Sequence, residues 1–239
     1  MSTYEFGFQL RLAILEQHGN DLLQILMKLL QCSSLGMGSR ESGNVNEAFA
    51  YQVQAMPVFR ARFSPQQFQL LLPDLLRSAG ISDPILFGHS DGASIAILHA
   101  SAAPVRGLVL EAPHVFAEDV SLRSIAQARE AYERGDLRSR LSRWHQDVDA
   151  AFWGWNGPWL HPGFRGWNLT GCLSAIRAPA LLIQGEADEY GTFEQIDAIA
   201  RGLRGRTEKL VLAGVGHAPH KDREAAVLDA TAKFLRTLR

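Results

Sequence analysis

Gly88-His89-Ser90-Asp91-Gly92 sets a serine between two glycines at the spacing G-x-S-x-G. A serine hydroxyl is a weak nucleophile until a base takes its proton, and that base is usually a histidine oriented by a carboxylate. The chain carries candidates for both. Glu186, Asp188 and Glu189 fall together in Gly185-Glu186-Ala187-Asp188-Glu189-Tyr190-Gly191. His217 and His220 fall together in Gly214-Val215-Gly216-His217-Ala218-Pro219-His220, where Gly214 and Gly216 mark His217 as the one on the tight loop. Taken alone, a histidine is more often structural or solvated than catalytic. G-x-S-x-G has only three fixed positions and turns up by chance, so the flanks have to decide.

Pro84-Ile85-Leu86-Phe87 is a short apolar run that reads as a buried parallel strand. Ala93 to Ala100 is small and apolar, with Ile95, Ile97 and Leu98 able to pack a helix on a sheet. A serine between a strand and a helix sits in a strained turn. Positions two before and two after approach backbone too closely for a Cβ, which explains the glycines. The gain is an exposed Oγ at a helix N-terminus, where developing negative charge is favoured. Both other candidate loops also follow apolar runs, Ala178 to Gly185 and Lys209 to Leu212, and strand ends are where open α/β sheets place their sites.

The remaining elements follow from pattern. Val105 to Glu111 reads as a strand, Phe193 to Leu203 and Arg223 to Leu238 as helices. Ser121 to Asp149 is charged and helical, with Leu122, Ile125, Ala128 and Tyr132 on one face and an interruption at Gly135-Asp136. Upstream, Leu10, Leu12 and Ile14 alternate with polar or small residues and predict a strand over Phe8 to Leu15. Asp21 is placed to cap an apolar helix over Leu22 to Leu30. Ser64-Pro65 starts another helix, with Pro73 bending or splitting it and Gly80 just past its end. Gln31 to Phe63 has turn residues and no period. It offers no strand to flank the one leading into Ser90, so that sheet edge is expected to be bare.

The segment "LFGHSDGASIAILHA" resembles the α/β-hydrolase superfamily, and is similar to its esterase and C–C-hydrolase-like members. The likeness is good from Phe68 to the C-terminus, while the N-terminal third is divergent or shortened. It implies an α/β fold with a mostly parallel sheet, helices on both faces and a helical cap, as one domain over 1–239 with the cap at about 118–170. It also implies the chain order serine, acid, histidine. "LLIQGEADEYGT" and "GVGHAPHKD" resemble the acid and histidine loops, which assigns Ser90, Asp188 and His217 as the catalytic residues. The Asp91 backbone N–H would be one oxyanion donor. A second is expected from the N-terminal third, with His18-Gly19 as its candidate. Trp144, Phe152, Trp153, Trp155, Trp159, Phe164 and Trp167 fall in the cap region. Most would pack the cap, with Trp153 and Trp155 taken as the apolar wall of the substrate pocket. The expected activity is hydrolysis of a small ester, thioester, lactone or activated C–C bond through an acyl-enzyme. The competing reading is a non-enzymatic relative whose oxyanion side is incomplete. A haloalkane-dehalogenase reading is disfavoured, because that chemistry uses an aspartate where this chain has Ser90.

Composition narrows the partners. At 239 residues the chain can bury a sizeable core. Its 24 Lys+Arg against 25 Asp+Glu leave a net charge of -1, which argues against nucleic-acid binding and against a polybasic membrane anchor. No apolar run reaches membrane-spanning length and the first residues do not read as a secretory signal, so a cytoplasmic protein acting on a small molecule is expected. Cys32 and Cys172 have no metal spacing and read as reduced thiols, with a bridge between them left open. No metal or other cofactor is called for, and the oligomeric state is not set by the sequence.

Overall fold

The computed structural model describes residues 11–15, 51–52, 72–74, 76–77, 80–145 and 147–238. The expected helix at Leu22–Leu30, the His18-Gly19 turn, Cys32 and the start at Ser64-Pro65 lie outside these. Six strands form one sheet: β1 (Arg11–Leu15), β2 (Tyr51–Gln52), β3 (Ile85–His89), β4 (Gly107–Glu111), β5 (Ala180–Gly185) and β6 (Thr207–Leu212), in the order β2-β1-β3-β4-β5-β6. β3 to β6 run parallel. β1 is antiparallel to β3, from Arg11 opposite His89 to Leu15 opposite Ile85, and antiparallel to β2. The edge of β3 is therefore covered, contrary to the expectation of a bare flank. The covering strand comes from the far N-terminus, where the period-2 pattern lies.

Apolar side chains alternate across the central strands because successive residues of a strand face opposite sides. Leu86, Leu108, Leu110 and Leu182 face one core with α1 (Asp91–Ala102) and α5 (Phe193–Gly202). Ile85, Phe87, Val109, Leu181 and Ile183 face a second core closed by α7 (Glu224–Arg236). Helices thus cover both faces, as expected. Helical residues 72–74 and 76–77 include Pro73 and end at Gly80, whose φ is 74°. The Gly80 N–H donates to the Arg77 oxygen and the Ile81 N–H to the Leu76 oxygen, closing the helix end with paired carbonyls.

Between β4 and β5 the chain runs through α2 (Asp119–Arg134), α3 (Leu137–Leu141) and α4 (Val148–Leu160), then two 3₁₀ turns. Gly135 and Asp136 separate α2 from α3, where the sequence breaks the pattern. This insertion has its own core, built on Tyr132 stacked on Phe152 at 3.7 Å, with Ala128, Leu137, Leu141 and Val148 around them. A second cluster joins Ile125 and Trp159 to Tyr190, which follows Asp188. The Ser121 and Ser124 hydroxyls donate to the backbone oxygens of Tyr190 and Glu189 at 2.5 Å. The insertion is thus fastened to the loop after β5. α6 (Pro219–Asp222) is a single turn leading into α7.

Candidate active site

Ser90 stands at the junction of β3 and α1 with φ 56° and ψ -123°, the left-handed region that a non-glycine residue enters only under constraint. Two hydrogen bonds impose it. The Ser90 N–H donates to the Glu111 oxygen at 2.9 Å, and the Ser90 oxygen accepts the Ala93 N–H at 2.9 Å. Gly88 makes the turn possible: a Cβ there would lie 2.4 Å from the Gly92 oxygen and 2.6 Å from the Ala93 Cα. Those neighbours are backbone and cannot step aside. Gly88→Ala is therefore expected to destabilise the fold by roughly 3 kcal/mol or more, the upper end of overpacking costs. Thermal melting checks this, and an unchanged Tm would mean the turn is looser than described.

The Ser90 Oγ lies 2.9 Å from His217 Nε2. On its other side, His217 Nδ1–H donates to the Asp188 carboxylate, 2.8 Å from Oδ1 and 3.0 Å from Oδ2. The same carboxylate accepts the Tyr190 N–H at 2.8 Å, the Gly191 N–H at 3.3 Å and Gln184 Nε2–H at 2.7 Å. With four donors converging on it, Asp188 is fixed in rotamer and charge. Burial is the largest influence and pushes its pKa up, but His217 and the Tyr190 N–H outweigh that and hold it below the usual carboxylate value. For His217, burial is again the largest influence and pulls downward. The charge and hydrogen bond of Asp188, with Glu189 and Asp91 adding, outweigh it and hold the imidazole above its ordinary 6.5.

The rival residues have other partners. Glu189 Oε2 accepts the His217 N–H at 3.3 Å, and Glu186 Oε2 accepts the Gly214 N–H at 3.3 Å. Both brace the histidine loop from below. His220 turns its Nδ1 to the Glu111 carboxylate at 3.0 Å. The two loops touch because Gly185 has no side chain, since a Cβ there would meet the Val215 and Gly216 oxygens at 2.3 Å. Gly214 takes φ 67°, turning the chain back toward Ser90.

The Asp91 N–H opens α1, where the first N–H groups of a helix have no acceptor within it. The Asp91 side chain accepts from Trp159 Nε1–H at 3.3 Å, and burial pushes its pKa up. Trp159 also meets the His114 ring edge-on at 5.2 Å. His114 in turn stacks on His217, with ring centres 5.6 Å apart. Burial, with His217 adding, lowers its pKa to about 3, so His114 stays neutral beside His217.

Trp159 is the tryptophan bonded to Asp91 beside Ser90, while Trp153 and Trp155 lie earlier on the same helix. Trp153 is 37 % exposed, and its ring packs on Tyr132 and Phe152 under the Arg129 guanidinium. Six residues apart on one helix, Trp153 and Trp159 point about 120° apart. Trp155 packs against Phe152 and the cluster of Ile125, Trp159 and Tyr190. Tertiary packing decided which aromatic faces inward, and the run of aromatics in the sequence does not encode it. His89, Glu111, His114 and Gln184 were also not read as site residues. The one visible signal was Glu111, a charge closing an otherwise apolar strand.

The alpha/beta hydrolase family model matches residues 33–230. The chain belongs to that family. Solved structures share the hydrolase fold at low identity. A carboxylesterase of the thaumarchaeon Nitrososphaera gargenis aligns at TM-score 0.62 with 16% identity, over 79% of this chain and 76% of its own. A thermophilic esterase from Thermogutta terrifontis aligns at 0.56 with 19% identity, over 75% and 74%. A proline iminopeptidase of Mycobacterium smegmatis aligns at 0.55 with 19% identity, over 77% and 74%. No curated protein matches the sequence. Among the described residues, no group of His, Cys, Asp and Glu is placed to hold a metal ion, and no helix is long and apolar enough to cross a membrane. Cys172 is a free thiol.

Proposed function

We propose that this hydrolase-family chain is a serine hydrolase that cleaves a small ester, thioester, lactone or activated C–C bond through an acyl-enzyme. The observation that carries the reading is the relay Ser90–His217–Asp188, with His217 bonded on both ring nitrogens at 2.9 Å and 2.8 Å. Asp188 holds the proton on Nδ1, which leaves the Nε2 lone pair facing the Ser90 hydroxyl. His217 takes the Ser90 proton as Oγ attacks the substrate carbonyl. The Asp91 N–H, at the positive end of α1, receives the oxyanion. His217 then returns the proton to the leaving group, and water repeats the steps in reverse order to free the acid. The helices between β4 and β5 act as the cap, with Trp159 as the aromatic wall over the site. The molecule is read as acting on a small organic substrate in the cytoplasm, without a cofactor.

The test is turnover of p-nitrophenyl acetate by the parent and by Ser90→Ala. A parent rate no greater than that of the variant would remove the reading and leave the non-enzymatic alternative.

The pH dependence follows from His217. Protonated, it cannot accept the Ser90 proton, and its pKa is held above 6.5. Asp188 stays charged across that range. The kcat/KM profile should therefore rise with pH through a midpoint above 6.5, as read from steady-state rates. A midpoint below 6.5 would show that burial, and not Asp188, controls the histidine.

A further inference from the structure

The nucleophile and the base sit far apart in the sheet. Ser90 follows β3 and His217 follows β6, with β4 and β5 between them. The loop after β6 must cross the ends of two strands to bring His217 within 2.9 Å of Ser90. It is pinned at each strand it passes. At β5, the Ala187 N–H donates to the Val215 oxygen at 2.8 Å, and Asp188 and Glu189 hold His217 itself. At β4, the pin is Glu111, which is 0 % exposed. Its carboxylate accepts the His220 N–H at 2.6 Å and His220 Nδ1–H at 3.0 Å. At β3, the pin is His89, whose Nε2–H donates to the His217 oxygen at 2.7 Å.

Both of these residues also touch the nucleophile's backbone. His89 is its immediate neighbour in the chain, and the Glu111 oxygen accepts the Ser90 N–H. We propose that Glu111 and His89 are positioning residues that set the Ser90–His217 separation, each holding the nucleophile's turn with one part and the histidine loop with another. The proposal rests on the serine-hydrolase reading. Neither residue is bonded to Ser90 Oγ or to His217 Nε2, although the His89 ring lies beside the His217 ring with centres 5.0 Å apart.

The chemistry of the pair fits this role better than a packing role. A leucine would fill the place of Glu111 without the penalty of burying a carboxylate. Burial pushes Glu111 up, but His220 and His89 outweigh it and hold the group at about 2, so it is charged at any working pH. A carboxylate can serve the two His220 donors at once. A glutamine would turn its own NH2 toward one of them. His89 is kept neutral, at about 3, chiefly by burial, so it has one N–H and aims it at a carbonyl. The His89 and His220 rings meet edge to face at 5.0 Å, which joins the two pins into one unit.

The experiment uses the full chain with Glu111→Gln, His89→Phe and the conservative His89→Gln, which keeps an N–H donor. Rates on p-nitrophenyl acetate are referred to folded protein by circular dichroism, and the His217 ring is followed by NMR through a pH titration. A displacement of about 1 Å costs about a hundred-fold in rate, so kcat should fall by about that in Glu111→Gln and His89→Phe with KM nearly unchanged. His89→Gln should recover part of the loss. The His217 titration midpoint should move down toward 6.5 as its contact with Asp188 loosens. A folded Glu111→Gln or His89→Phe with parental kcat, or with an unmoved His217 titration, would overturn the proposal. Should Glu111→Gln fail to fold, His89→Phe decides. Should the parent itself show no turnover, the serine-hydrolase reading fails separately, and the His217 titration alone judges the positioning claim.

Discussion

His217→Ala is expected to lower turnover of p-nitrophenyl acetate by about a million-fold, the scale set by loss of the histidine from another serine triad. In the proposed mechanism His217 is the base for Ser90, the acid for the leaving group and the partner that Asp188 orients, and it is bonded to both residues. Losing it removes all three at once. Among the described residues, no other histidine is placed to take over. His220 has its Nδ1 on Glu111, and His89 donates to a backbone carbonyl. His114 faces Trp159 and is held neutral at about 3, too weak a base to compete. At about 1.4 kcal/mol per factor of ten, the loss is about 8 kcal/mol of transition-state stabilisation. Steady-state rates, with circular dichroism to confirm folding, check it. A loss of less than a hundred-fold would mean that another base serves Ser90.

Asp188→Asn should cost about ten-thousand-fold while leaving the fold intact, the cost of the equivalent change in another triad. The direction follows from the surroundings of the carboxylate. Oδ1 accepts the Tyr190 and Gly191 N–H groups, so an asparagine must keep its oxygen there. Its NH2 then takes the place of Oδ2, 3.0 Å from His217 Nδ1. That NH2 donates to Nδ1 and drives the proton to Nε2, where it faces Ser90 and blocks proton transfer. Gln184 can turn over its amide to accept from that NH2, at the loss of its own bond to the Gly191 oxygen. Near-parental turnover would transfer the acid's role to Glu189 or Glu186.

The parts of this molecule legible in the sequence are those governed by local sterics. The Ser90 turn could be read because Gly88, the apolar strand before it and the small apolar helix after it are consecutive. β4 and β5 could be read because strands buried on both faces are continuous apolar runs. The acid and histidine loops could be placed because Gly185 and Gly214 mark a close approach and a left-handed turn. What could not be read depends on residues distant in the chain. The partner of β3 is β1, more than 70 residues upstream and antiparallel, and nothing in either segment names the other. Trp159, and not Trp153 or Trp155, meets Asp91 because of how α4 packs on α2. Glu111 and His220 recognise each other across 109 residues.

The most direct measurement of the central claim is labelling of the folded protein with a fluorophosphonate, followed by peptide mass spectrometry. The reagent requires a serine that is both activated by a base and set beside an oxyanion site. The account predicts one adduct, on Ser90, formed in the parent and lost in His217→Ala. An adduct on another residue, or none on folded parent protein, would contradict it.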